Sequence, residues 1–207
     1  MKEQVKNTIE NLRKHNINCY FVEDEEKARE KVLELIEPEK TVGLGGSMTV
    51  HSIKVVPELE KRNIVFNPYN AEGRIDRTKN QPELRRKGLL ADYYLTGTNA
   101  VTEDGYLVNT DGTGNRVASM AFGPKKLILV TGINKITENV DAAFERIKTV
   151  AAPMNARRHG WEDIPCYDAD CDECASAHRQ CNSSLIIHYS RDPERVSVVL
   201  VNIDLGF

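Results

Sequence analysis

Short apolar segments alternate with amphipathic helical segments along most of this chain, and this alternation limits the folds open to it. The clearest strand pattern lies at residues 126–132. Apolar residues also recur at helical spacing, as at Val5, Ile9 and Leu12. Because neighbouring parallel strands need a crossover connection, usually a helix, the alternation predicts an α/β fold with a mostly parallel sheet flanked by helices.

The C-terminal part departs from this alternation. Residues 151–183 are polar and cysteine-rich and predict an irregular segment. Two strand patterns follow, at 185–189 and 196–201, and the turn between them predicts a C-terminal β-hairpin. A hydrophobic core usually stops growing near ~250 residues, so we expect one domain over residues 1–207.

Composition excludes several classes of protein. Hydrophobic residues make up 40% and charged residues 29%, which is enough apolar material to fill a core. The net charge of −3 argues against nucleic-acid binding, which needs an excess of positive charge. No run approaches the ~20 apolar residues of a membrane span, and no secretory signal pattern begins the chain. We therefore expect a cytoplasmic protein.

A Gly-rich loop follows the predicted strand near residue 44. In an open α/β sheet, ligands bind beyond the carboxyl ends of the strands. Gly45 and Gly46 let a ligand approach the backbone, while Ser47 and Thr49 supply hydroxyls. Met48 stands where a dinucleotide fingerprint has its third glycine, and no P-loop ending is present. The alternative is a tight turn in which Ser47 caps a helix.

Two further polar loops follow predicted strands. Their candidate ligand-binding residues are Asn99, Glu103, Asp111, Gly112, Gly114, Asn115 and Arg116. Arg116, at the start of a predicted helix, can hold a carboxylate or phosphate with two hydrogen bonds. The alternative is that Asp111 caps a turn and pairs with Arg116 at the surface. Together the three loops predict a pocket for a small anion.

Four cysteines cluster near the C-terminus with the spacing C-x4-C-x2-C-x6-C. They are Cys166, Cys171, Cys174 and Cys181. Cytosolic thiols stay reduced, so the cluster favours a metal centre over disulfides. The first three spacings match a plant-type [2Fe–2S] run, while zinc usually takes two C-x2-C pairs. An iron–sulfur cluster is preferred, zinc is the alternative, and metal-free thiols are a third possibility. Cys19, in a predicted strand, is assigned to the core.

Several motifs together resemble the lactate-utilisation (LUD) domain family. The most specific is Asp-Gly-Thr-Gly-Asn-Arg at 111–116, and the resemblance covers nearly the whole chain. The segments that carry it are 45–49, 98–105, 111–118, 123–126, 134–136, 152–158, 165–182 and 204–207.

This resemblance implies a fold similar to the sugar-phosphate isomerase and CoA-transferase group. It also implies a link to bacterial lactate oxidation, in which a small subunit of this type accompanies iron–sulfur partner subunits. The chain lacks repeated cysteine motifs and any flavin or nicotinamide signature, so we do not expect it to oxidise lactate alone. Two alternatives stay open: a stand-alone enzyme or sensor for a phosphorylated or carboxylate metabolite, and a metal-stabilised structural module. No residue is assigned a catalytic role.

Overall fold

Strands and helices alternate in the computed structural model, which describes residues 2–171 and 174–207. Met1 of the predicted domain and residues 172–173 of the predicted cysteine-rich segment lie outside the described residues. The strands are β1 (Asn18–Val22), β2 (Thr41–Leu44), β3 (Ile64–Phe66), β4 (Tyr93–Gly97), β5 (Ala100–Thr102), β6 (Leu107–Asp111), β7 (Lys126–Gly132), β8 (Ile136–Thr137), β9 (Ser183–Ile187) and β10 (Val196–Val201). The helices are α1 (Glu3–Lys14), α2 (Glu25–Leu35), α3 (Met48–Ser52), α4 (Val56–Arg62), α5 (Gln81–Leu89), α6 (Asn115–Ala121), α7 (Val140–Arg146) and α8 (Ala152–His159).

The main sheet has six strands in the order β1-β10-β7-β4-β2-β3, and every pairing between them is parallel. This confirms the predicted α/β class with a mostly parallel sheet. All six strands therefore end at the same edge of the sheet, where the loops after β2, β4, β7 and β10 emerge.

Both faces of the main sheet are covered, which explains the continuous apolar runs of its central strands. In β7, Ile128 and Val130 pack on one face with α2, α3 and α4, while Leu127 and Leu129 face the other side with α1. Cys19 is buried on the α1 side, in the core position assigned from the sequence. Successive side chains of a strand point to opposite faces, so a strand buried on both sides cannot show polar alternation.

A second sheet of four strands, in the order β8-β5-β6-β9, packs beside the first. β6 pairs antiparallel with both β5 and β9, and α7 covers this sheet through Ala143. The predicted C-terminal strands are present as β9 and β10. β9 lies in the smaller sheet and β10 in the main sheet, so the turn between them joins the two sheets. β9 supplies the expected antiparallel pairing through β6, whereas β10 lies parallel between β1 and β7.

The start of the predicted irregular segment at 151–183 is helical. α7 continues through a π-helical turn, Ile147–Ala151, directly into α8. Pro153 does not interrupt this helix: it lies in the first turn of α8, directly after the π-helical turn. Gly160, in a left-handed conformation, then ends α8. Within the described residues, no helix is long and apolar enough to cross a membrane.

Candidate functional site

A cavity of about 350 Å³ lies at the edge where the parallel strands end. The loops after β2 and β4, the end of β6, the turn after β7 and the C-terminal Phe207 contribute to its wall. Helix α8 and the segment 177–181 close the remaining sides. The cavity therefore lies where the topology of an open parallel sheet places ligand sites.

Most of the residues singled out from the sequence meet in this wall. The ligand candidates that line the cavity are Gly46, Ser47, Asn99, Asp111, Gly112, Asn115 and Arg116. Ser47 also caps α3, because its side chain accepts the backbone N–H of Val50 at 3.2 Å. The alternative interpretation of Ser47 as a helix cap is thus compatible with a place in the cavity wall.

Four other candidates lie outside the wall. Gly45 packs against β4, since a Cβ at this position would stand 2.5 Å from Thr96 Oγ1. Thr49 is buried behind the cavity. Gly114 adopts a left-handed conformation that lets α6 begin. The Glu103 side chain accepts a hydrogen bond from Gln4 in α1, because the loop after β5 turns away from the cavity.

Asp111 and Arg116 line the cavity and also contact each other, so both interpretations given for them from the sequence apply. Asp111 Oδ2 accepts the backbone N–H of Arg116 at 2.8 Å, which caps α6. The Arg116 Nη2 atom donates to the carbonyl of Thr110 at 2.8 Å and to Asn99 Oδ1 at 3.2 Å. These bonds fix one side of the guanidinium against the wall of the cavity.

The wall also contains lysine and arginine side chains that were not among the ligand candidates, namely Arg85, Lys135, Arg158 and Arg179. Arg158 is held by Asn155 Oδ1 at 2.7 Å, and burial lowers the pKa of its guanidinium. Among the described residues of the wall, Asp111 is the only carboxylate side chain. The wall therefore carries a clear excess of positive charge.

An aromatic stack forms another part of the wall. The rings of His159 and Trp161 lie 4.4 Å apart between centroids, and those of Trp161 and His178 lie 5.2 Å apart. Asp163 Oδ1 lies 2.7 Å from His178 Nδ1. Burial, together with the nearby Arg158, lowers the pKa of His159 to about 4, so this imidazole is neutral at pH 7.

The cysteine cluster borders the same cavity. Cys181 lines the wall, and Cys166 Sγ accepts a hydrogen bond from Gln180 Nε2 at 3.6 Å. Burial raises the pKa of the Cys166 thiol, and the neighbouring Cys174 and Cys171 raise it further. In the part of the chain that the structure describes, no three Cys, His, Asp or Glu side chains stand close enough to hold a metal ion. As arranged here the cysteines do not form a ligand set, and the metal centre stays a prediction.

A parallel α/β sheet with a polar cavity at its carboxyl edge is the architecture in which small ligands bind at strand ends. The chain belongs to the LUD domain family, whose model matches residues 5–201. The resemblance noted in its motifs is thereby confirmed. No curated protein matches the chain.

Among solved structures, the chain is similar to one described as the crystal structure of a DUF162 family protein from Deinococcus radiodurans. The two share 13% sequence identity, the match covers 96% of each chain, and the TM-score is 0.52. At this level of identity the likeness supports the fold alone.

Proposed function

We propose that this LUD-domain protein binds a small anionic metabolite, carrying a carboxylate or a phosphate, in the cavity at the carboxyl edge of the main sheet. The observation that carries the proposal is the charge of the wall: several arginines face one carboxylate side chain among its described residues. Arginine is well suited to carboxylate and phosphate because its donors form a planar fork.

The hydrogen bonds within the wall favour an anion fixed in one orientation. Arg116 is held on one side by Thr110 and Asn99, so it loses little side-chain freedom when a ligand binds. The side-chain amide nitrogen of Asn99 donates to no described residue, while its oxygen accepts from Thr110 N at 2.9 Å. An anion held here meets donors that are already positioned.

The biological setting that we propose is lactate utilisation, with this chain as an accessory subunit beside iron–sulfur partner subunits. Membership of the LUD domain family supports that setting. Deletion of the gene in the source organism should impair growth on lactate more than growth on glucose. Equal growth on both carbon sources would argue for the alternative, a stand-alone enzyme or sensor.

Anion binding is tested by calorimetric titration with sodium pyruvate, sodium L-lactate and inorganic phosphate. At least one of these anions should bind, and Arg116→Ala should weaken that binding at least ~10-fold, which corresponds to about 1.4 kcal/mol. The matched control is Arg191→Ala, at an exposed position in the turn between β9 and β10. If no anion binds, or if both variants bind as the wild type does, the proposal is wrong.

A second proposal, independent of the first, is that the four clustered cysteines hold a metal centre. The spacing C-x4-C-x2-C-x6-C supports this proposal, and Cys174 and Cys171 both raise the pKa of Cys166. An iron–sulfur cluster remains the first choice and zinc the alternative, and no step of anion binding depends on either.

A further inference from the structure

Lys135 is a buried residue of the cavity wall, and a buried lysine is unusual. It ends the 3-10 turn Ile133–Lys135 after β7 and is 2% exposed. Its Nζ atom donates to Thr49 Oγ1 at 2.8 Å and to the carbonyl oxygen of Thr98 at 3.3 Å. Lysine is almost never fully buried unless it is paired, yet no described carboxylate forms an ion pair with it.

The hydrogen bonds of Lys135 suit a neutral amine. An ammonium group has three hydrogens to donate, whereas a neutral amine has two hydrogens and one lone pair. The two acceptors, Thr49 Oγ1 and Thr98 O, match the two hydrogens of the neutral form. The lone pair then remains on an atom whose residue lines the cavity.

The charges around Lys135 also favour the neutral amine. Arg146 on α7 and Arg116 on α6 are the charged groups that act on Lys135, and both are cations. The partners from α3 and from the loop after β4, Thr49 and Thr98, are uncharged. Burial, then Arg146 and Arg116, lower the pKa of Lys135 to about 7. A large fraction of the amine is therefore unprotonated near neutral pH.

We propose that Lys135 is a nucleophilic amine that forms an imine with the carbonyl carbon of a 2-oxo acid held in the cavity. This inference rests on the proposed anion binding, because arginines of the wall would hold the carboxylate while Lys135 meets the adjacent carbonyl. A desolvated lysine beside other cationic groups is a recognised way to activate an amine for this chemistry.

The reaction needs no oxidant or reductant. The lone pair of Nζ attacks the carbonyl carbon, a C–N bond forms, and the C=O π electrons move to oxygen, which takes up one of the two nitrogen protons. The C–O bond of the resulting carbinolamine then breaks, the hydroxyl leaves as water with the second nitrogen proton, and a C=N bond forms. Thr49 Oγ1 accepts a hydrogen bond from Nζ and so orients the amine, which makes Thr49 a positioning residue.

The test is reductive trapping of the wild-type protein with pyruvate and cyanoborohydride, followed by peptide mass mapping. The reagent reduces the imine to a stable secondary amine, and we expect the adduct on Lys135. Lys135→Met should lose the adduct, while the exposed surface variant Lys61→Met should keep it. If Lys135→Met does not fold, the wild-type peptide map decides by itself. Adducts spread over exposed lysines with none on Lys135 would overturn the inference.

The pH dependence of trapping gives a second readout. Labelling of Lys135 should rise through about pH 7 and then level off, whereas ordinary lysines continue to gain reactivity toward pH 10.5. A purely structural lysine would show no labelling in this range, because its proton would be retained.

Glycolaldehyde, a carbonyl compound without charge, separates this inference from the proposed anion site. Trapping of Lys135 by both probes, with Arg116→Ala reducing only the pyruvate adduct, supports both proposals. If both probes label Lys135 and Arg116→Ala changes neither adduct, the nucleophilic amine is supported and the anion site is rejected. Calorimetric binding of lactate or phosphate without any Lys135 adduct rejects the amine and keeps the anion site. Absence of both binding and adduct rejects both.

Discussion

Asp111 accepts the backbone N–H of Arg116 at 2.8 Å and also places its other carboxylate oxygen 3.9 Å from Arg116 Nε. One carboxylate therefore caps α6 and lies beside the guanidinium that faces the cavity. Capping depends on a hydrogen-bond acceptor, whereas the effect on a bound anion depends on the negative charge. The two roles can be separated by substitution.

Asp111→Ala should destabilise the protein by about 1 kcal/mol, because the first N–H groups of α6 lose their acceptor. Urea unfolding monitored by circular dichroism gives this value, with Glu10→Ala on the exposed face of α1 as control. Equal stability of Asp111→Ala and the wild type would contradict the capping role.

Asp111→Asn should retain most of the stability, since asparagine caps helices about as well as aspartate. It also removes the carboxylate that opposes a bound anion, so the affinity for phosphate or pyruvate should rise several-fold. Calorimetric titration measures this change. A weaker affinity would show that the charge of Asp111 is needed to hold Arg116 in place.

The pattern of the chain was enough to predict the main sheet and part of the cavity wall. Strand β7 carries an apolar run that only a doubly covered sheet explains, and Ser47, Asn99 and Arg116 follow predicted strands. Ser47 and Asn99 follow β2 and β4 of the parallel sheet, so their convergence follows from topology. Arg116 follows β6 and Glu103 follows β5, both in the smaller sheet. These two strands are antiparallel, so they end on opposite sides: the end of β6 reaches the cavity, and the loop after β5 turns toward α1.

The remaining parts of the site depend on contacts between distant segments. Lys135 lies in a turn, where a lysine is ordinarily exposed, and its burial depends on packing against Thr49, which is 86 residues away in sequence. The segment 177–181 has no helical or strand periodicity, so its return to the cavity could not be predicted. Lys135 lies between Ile133 and Ile136 just after the strongest strand, and these two flanking residues are the local signal that the turn packs inward.

Lys135 should make the stability of the protein depend on pH. Its pKa is about 7 in the folded state and 10.5 in the unfolded chain. Below pH 7 both states hold the proton, and above 10.5 neither does. Between these values the unfolded state binds more protons, so stability rises with pH, by at most about 1.4 kcal/mol per unit.

The measurement is urea unfolding of the wild type and Lys135→Met between pH 6 and 10. The wild type should gain stability relative to the variant above pH 7, because methionine has no proton to lose. A constant difference across this range would show that Lys135 keeps its ordinary pKa.

His159 should make the stability of the protein depend on pH in the acidic range. Burial and Arg158 lower its pKa from 6.5 to about 4. Between these values the unfolded state binds the proton and the folded state does not, so stability falls as pH decreases from 6.5 toward 4. Trp161 is the single tryptophan and stacks on His159, so its fluorescence reports unfolding at the site directly. His159→Asn should reduce this loss of stability in acid. The control variant His188→Asn, at an exposed position, should lose as much stability as the wild type.

The cysteine cluster predicts bound metal when oxygen is excluded. Two residues separate Cys171 from Cys174, and Cys166 is close enough for both to influence its pKa. Thiolates carry like charges, so they approach one another stably only when a metal ion neutralises them. Iron, sulfide and zinc should therefore be measured after anaerobic purification of the wild type, Cys174→Ser and the buried control Cys19→Ala.

The wild type and Cys19→Ala should retain metal, and Cys174→Ser should lose it. Iron with equimolar sulfide identifies a cluster, whereas zinc identifies a structural site and removes any role in electron transfer. Because Gln180 bonds Cys166 Sγ and Cys181 lines the cavity, metal binding should also change the fluorescence of Trp161 in the same wall. A metal-free wild type under these conditions would mean that the cysteines are reduced thiols, and that the segment which closes the cavity is held by hydrogen bonds such as the one from Gln180.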